Sequence, residues 1–150
     1  MTRRWLVALA AGVLALTCCA PGTPDADSWR IDAQRSLGDA ASAASAAQVA
    51  LQQHGDGRLF DAYLQTVLVD AEEAASAAAD TLGGTQPPVS ERDRYDAVTS
   101  QLDSAAGLLS TARTAVVDGE TRQYDRLAAR LAKAVDALHD LESDLEHPPR

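Results

Sequence analysis

Three features of the chain predict an all-α fold, an antiparallel up-down-up-down four-helix bundle. Four stretches of similar length each carry an unbroken seven-residue repeat of apolar positions, and glycine or proline separates each from the next. The composition is rich in alanine and poor in aromatics, which make up 4% of the residues. Apolar seams of this period pack at about +20° with a left-handed supercoil, the geometry of antiparallel bundles with short connections. Each helix is expected to span about 25 to 28 residues, or about 40 Å at 1.5 Å per residue. Four matched helices satisfy all four seams at once, whereas three would leave one seam in water.

The first helix is expected from about Ser28, a good N-cap residue, to His54, where Gly55-Asp56-Gly57 stops it. Its seam is Ala33, Leu37, Ala40, Ala44, Ala47 and Leu51, at alternating steps of four and three. The second is expected from about Arg58 to Leu82, with the seam Phe60, Leu64, Val67, Ala71, Ala74 and Ala78; Gly83-Gly84 ends it and Pro87-Pro88 bars continuation. The third opens at Ser90, whose hydroxyl serves as a cap while Asp93 sits where a capping box prefers Glu, and it ends near Asp118-Gly119. Its seam is Tyr95, Val98, Leu102, Ala105, Leu109, Ala112 and Val116. The fourth runs from about Glu120 to Glu146, before Pro148-Pro149, with the seam Tyr124, Leu127, Leu131, Ala134, Leu138, Leu141 and Leu145.

Alanine at so many seam positions lets helix axes approach the short end of the usual range of about 8 to 10 Å, while burying less apolar area per residue. The first hairpin is therefore expected to be the less stable. The Ser-Ala tracts Ala40–Ala47 and Ala74–Ala79 read as helix, because alanine is the best helix former and the seam passes through them in phase. A tandem duplication is suggested by a shift of about 64, which pairs Arg30-Ile31-Asp32-Ala33 with Arg94-Tyr95-Asp96-Ala97 and Gly55 with Gly119. The seams of helices one and three, however, align at a shift of about 65, and biased composition explains the matches at both offsets.

Ahead of the bundle, Met1–Arg4 carry two positive charges, Trp5–Thr17 are almost wholly apolar, and Cys18-Cys19 then meets Ala20-Pro21-Gly22. The apolar run of about 15 residues is short of the roughly 20 that span a bilayer, so a removable signal is favoured over a lasting transmembrane anchor. The segment resembles a bacterial lipoprotein signal peptide, with Leu16-Thr17-Cys18-Cys19 as its lipobox. Cys18 stands where that pattern usually has Gly, Ala or Ser. The resemblance implies cleavage before Cys19 and acylation of Cys19, which leaves no free thiol. Ordinary signal cleavage after Ala20 would leave Pro21 first and is disfavoured. Thr2-Arg3-Arg4-Trp5-Leu6 also looks faintly like a twin-arginine export signal, so the export route stays open. The expected organisation is a signal over 1–18, a lipidated tether over 19–27, the bundle over 28–147 and a tail over 148–150. Basic residues are nearly all arginine, with Lys133 the sole lysine, a bias that fits a GC-rich genome and a likeness, in signal and composition only, to small lipoproteins of actinobacteria.

The chain has a net charge of −9, and removing Arg3 and Arg4 from its 13 basic residues leaves 11 against 22 acids, or −11. Such a surface repels nucleic acid and anionic headgroups, so the membrane is expected to be reached through the lipid and no nucleic-acid partner is expected. Carboxylate-bridged metal bundles place Glu and Glu-x-x-His ligands on core positions. The nearest approach here, Asp136-Ala-Leu-His139, puts Asp136 on the far face and His139 just outside the seam, and Glu72 and Glu73 also lie off the seam. Glu142, Glu146 and His147 sit near a fraying end. Ser143 beside Asp144 reads as an ordinary helix-surface pair. The chain has no Cys-x-x-Cys-His, no His-Glu-x-x-His and no Gly-rich phosphate loop. No catalytic residue, metal or cofactor is therefore expected. The leading expectation is a non-enzymatic, lipid-anchored interaction or accessory module of the cell envelope. The alternative is a metal- or small-ligand-binding bundle, which would need polar residues in the seams. An up-down order places the membrane end, the Gly83–Val89 linker and the C-terminus together and both tight turns at the opposite end. His54, Asp56, Arg58, Asp118, Glu120 and Arg122 are accordingly the candidate partner-binding tip, with the acidic face of helix four, Asp136, Asp140 and Asp144, as the competing surface.

Overall fold

A computed structural model describes residues 25–147. The chain forms four α-helices, α1 (Ala26–Gly55), α2 (Asp61–Gly83), α3 (Arg92–Val117) and α4 (Tyr124–Glu146), in an antiparallel four-helix bundle. Helix α1 is the longest at 30 residues, against 23, 26 and 23 for the others. The lengths are thus less matched than expected: α1 begins earlier, at Ala26, while α2 begins later, at Asp61, and α3 and α4 each begin after a 3-10 turn, Val89–Glu91 and Thr121–Gln123. No described helix is long and apolar enough to cross a membrane.

Helix α1 starts two residues before Ser28. Asp25 is its N-cap, accepting a hydrogen bond from the Ser28 N–H at 2.8 Å, and that bond holds the Asp25 carboxyl below its ordinary pKa. Ser90 is likewise not a cap: it lies within the 3-10 turn after Pro88, and no side chain caps α3.

The core divides into two halves. Trp29, Leu37, Leu82, Val98, Leu102, Leu138 and Leu145 fill the end where α1 begins and α4 finishes. Leu51, Leu64, Leu68, Leu109, Leu127 and Leu131 fill the end with the tight turns. The seams of α1, α3 and α4 lie where their periodicity places them, with Tyr95, Ala134 and Leu141 only partly buried. The seam of α2 is displaced. Leu64, Ala71 and Ala78 are buried as expected, but their companions are Leu68, Ala75 and Leu82; Phe60 and Ala74 are exposed and Val67 is half-buried. Phe60 stands outside the helix as its N-cap, and Leu68 and Leu82 then exclude more water than Val67 and Ala74 could.

Helix α1 packs closely on both α4 and α2 and reaches α3 across the diagonal, whereas α3 and α4 approach each other less closely than any other neighbouring pair. Side-chain size explains this: the α1 seam is largely alanine, while α3 and α4 meet through leucines that hold their axes apart.

Replacing Leu68, Leu131 or Leu138 by Ala is expected to cost about 2 to 5 kcal/mol each, the range for buried leucines. Phe60→Ala and His139→Ala should each fall within about ±0.5 kcal/mol. Urea denaturation of the set checks the α2 phase directly; a Phe60→Ala loss larger than that of Leu68→Ala would restore the original seam.

Candidate functional site

The two tight turns lie together at the end opposite Asp25 and His147, and they are built alike. In the first, Gly57 adopts φ +69°, Arg58 N–H donates to the Gln53 carbonyl at 2.8 Å and Gly57 N–H to the His54 carbonyl at 2.9 Å. In the second, Gly119 adopts φ +70°, Glu120 N–H donates to the Ala115 carbonyl at 2.8 Å and Gly119 N–H to the Val116 carbonyl at 3.1 Å. Both are Schellman caps, which pair carbonyls that a helix end leaves free and need a left-handed residue that glycine supplies without a steric penalty. The equivalent glycines are about 62 residues apart, an offset that matches neither duplication alignment and leaves composition as the simpler account of the repeats.

The fold therefore brings the six tip residues to one end but gives them unequal roles. His54 is engaged: its Nε2 lies 2.6 Å from Asp61 Oδ1, and its ring meets Tyr124 edge-on with centroids 5.4 Å apart. It joins the end of α1 to the starts of α2 and α4. Asp61 and Tyr124, which the turn sequences do not single out, thus belong to this cluster. Burial pushes the Tyr124 hydroxyl above its ordinary pKa, and the charge of Asp61 adds to the effect. Arg58 pairs with Asp56 at 3.3 Å between exposed side chains. Asp118, Glu120 and Arg122 are exposed, with no ion pair among the described residues, and border a shallow polar recess with Thr121 and Gln123.

The opposite end is locked by a buried carboxylate. Glu91, 1% exposed, accepts from Arg30 of α1 at 2.5 Å and from Arg94 of α3 at 2.8 Å. Burial alone would push its pKa up, but the two guanidinium hydrogen bonds and their charges outweigh it and hold the carboxyl below the ordinary glutamate value. Trp29 is fully buried beside this lock, with Tyr95 6.5 Å away, and its Nε1–H finds no acceptor among the described residues. Burying an indole of about 200 Å² contributes about 5 kcal/mol, more than the roughly 1 to 3 kcal/mol of one unmade hydrogen bond. Midway along the bundle, Arg113 of α3 donates to Glu72 of α2, and that bond lowers the Glu72 pKa.

Asp136, Asp140 and Asp144 are exposed on α4, and His139 is exposed with Nδ1 3.2 Å from Glu142 Oε2. Among the described residues, no three of His, Cys, Asp and Glu are grouped as metal ligands. Cys19, the expected signal over 1–18 and the tail over 148–150 lie outside the described residues. No family model, no curated protein and no solved structure matches the chain.

Glu91→Gln is expected to cost about 1 to 3 kcal/mol near pH 7 by removing the charge that satisfies two arginines. Because the native Glu91 pKa is lowered, its contribution is present above the ordinary glutamate value of about 4.3 and is lost as pH falls through the native value. The gap between wild type and Glu91→Gln should therefore close on acidification, as denaturation midpoints taken across that range will show. At the other end, His54→Ala should cost about 0.5 to 1.5 kcal/mol through the lost ring contact, and Glu120→Ala should stay within about ±0.5 kcal/mol. Equal losses at both would make His54 an ordinary turn residue.

Proposed function

We propose that the protein is a non-enzymatic module of the bacterial cell envelope, held on the outer face of the plasma membrane by a lipid on Cys19 and serving to engage another envelope protein. The observation that carries this reading is the shared end of the bundle. The start of α1, the connection from α2 to α3 and the finish of α4 lie together, and the two Schellman turns stand at the far end. With a lipid on Cys19 and the bundle standing upright on the membrane, the turn end would stand about 35 to 45 Å from the bilayer, from the helix lengths at 1.5 Å per residue. Two acyl chains give a durable anchor, since each buried methylene is worth about 0.8 kcal/mol and one chain alone holds only marginally. At the tip, Asp118, Glu120 and Arg122 are exposed and unpaired among the described residues, and Asp56 and Arg58, paired with each other, are exposed beside them. The aspartates of α4 are the competing surface.

Two measurements test the reading. Metabolic labelling with a fatty acid should be lost in Cys19→Ala and retained in Cys18→Ala; equal labelling of both variants would remove the anchor assignment. Crosslinking in the native envelope, followed by purification, should recover a specific protein from wild type and lose it when Asp56, Arg58, Glu120 and Arg122 are all changed to Ala. Survival of that complex, with loss on changing Asp136, Asp140 and Asp144 to Asn, would move recognition from the tip to α4.

A further inference from the structure

Helix α2 carries more apolar surface than the bundle buries. Beside its inner line of Leu64, Leu68, Ala75 and Leu82 runs an outer line of Val67, Ala74 and Ala77. This outer line faces a groove between α1 and α2, where α1 contributes Ala43 and Ala46. The same helical phases carry the apolar surface past the turn end of the groove to Val49, 48% exposed, and Tyr63, 59% exposed, with Phe60, 85% exposed, at the mouth of α2. The groove holds about 650 Å³ and extends from Asp32 and Thr81 to Ala46 and Val67. Along α1 that is about 21 Å, or roughly four helical turns.

Three aspartates, Asp32, Asp39 and Asp70, edge the groove, and none forms an ion pair among the described residues. Arg35 is the one basic residue among those lining it. Large apolar side chains stand in water at the turn end of the same face, at Val49, Phe60 and Tyr63.

We propose that the α1–α2 groove is the docking site of an amphipathic helix from a partner protein, with small or medium apolar residues along its inner stripe and Lys or Arg on its flanks. Alanines on the floor let a third helix approach at the short end of the range of about 8 to 10 Å. The acidic edge selects the sign of the partner. A second copy of this chain, at a net charge of −9, would bring like charge to the same edge and is the weaker occupant. Anionic lipid headgroups are disfavoured for the same reason. The inference rests on the reading of the protein as an interaction module, but on neither the lipid at Cys19 nor the turn-end tip.

The test uses the full chain in nanodiscs of neutral phosphatidylcholine, with empty nanodiscs as the blank, and fluorescence anisotropy. The probes are two labelled synthetic helices of about four turns that share one Leu/Ala face. One carries Lys on its flanks and the other Glu. The Lys helix should bind, the Glu helix should bind weaker by about tenfold or more, and the double change Val67→Gln, Ala74→Gln should weaken the Lys helix to a similar degree. Val69→Gln, on another face of α2, should leave binding unchanged, and circular dichroism confirms that the variants remain helical. Equal binding of the Lys helix by wild type and the Val67, Ala74 variant would overturn the proposal, as would equal affinity for both helices. A loss confined to the variant at Asp56, Arg58, Glu120 and Arg122 would place binding at the tip and overturn the groove while leaving the interaction-module reading intact. Dimerisation abolished by Val67→Gln, Ala74→Gln would make a second copy the occupant and also overturn it.

Discussion

The bundle depends on the size of the side chains along α1. Ala33, Ala40, Ala44 and Ala47 are fully buried, and at those positions the helix presents little more than its backbone. That lets α1 close on α4 and α2 together and reach α3 across the middle. The larger side chains come from its partners, with Leu102, Leu109, Leu127, Leu131 and Leu138 filling the space that the alanines leave. Close packing depends on such pairing of large with small, since one added methylene in a filled core forces shifts that cost about 1 to 3 kcal/mol. The two Schellman turns, each closed by a left-handed glycine, set the reversals at one end.

How much of this is legible in the sequence follows from how residues are distributed around each helix. In α4 the leucines concentrate on one stripe with charges around it, so the line through Leu127, Leu131, Leu138 and Leu145 has a single reading. In α2 two stripes share Leu64, Ala71 and Ala78, and seven-residue spacing fits either side of them. The larger area of Leu68 and Leu82 decides between them, a matter of magnitude that period alone does not weigh. The start of α1 is a similar near-tie. Both Asp25 and Ser28 suit an N-cap, and the one three residues earlier accepts the other's N–H.

Long-range pairs leave a fainter trace. The tip could be assembled from topology, because an even number of antiparallel helices must bring the two tight turns to one end. What could not be read was the use of His54. Its partners Asp61 and Tyr124 are on other helices, and only the folded arrangement makes the histidine a junction rather than a free turn residue. Glu91 is the stronger case. It lies in a 3-10 turn after Pro88, where sequence suggests an exposed acid, and its burial rests on Arg30, 61 positions earlier. A carboxylate removed from water persists only where its charge and lone pairs are met. Here Arg30 and Arg94 meet both, and they fix the α2–α3 connection against the start of α1.

The ambiguity in α2 and the open groove beside it have one physical origin. A helix whose apolar residues exceed one stripe fits two phases, and whichever phase the core takes, the remaining stripe is left facing outward. In this bundle the core takes the leucines, and Val67, Ala74 and Ala77 are left with alanines of α1 across the groove. Folding of the four helices accounts for the inner stripe completely. Of the outer one, Val67 packs partly against the core, while Ala74 and Ala77 raise the exposed apolar area without adding to it. Alanine-rich composition explains part of it, since alanine sits in water at little cost. It does not explain Val49, Phe60 and Tyr63, whose larger side chains extend the same face toward the turn end. Beside it stand Asp32, Asp39 and Asp70, which form no ion pair among the described residues and set the sign of the charge along that face.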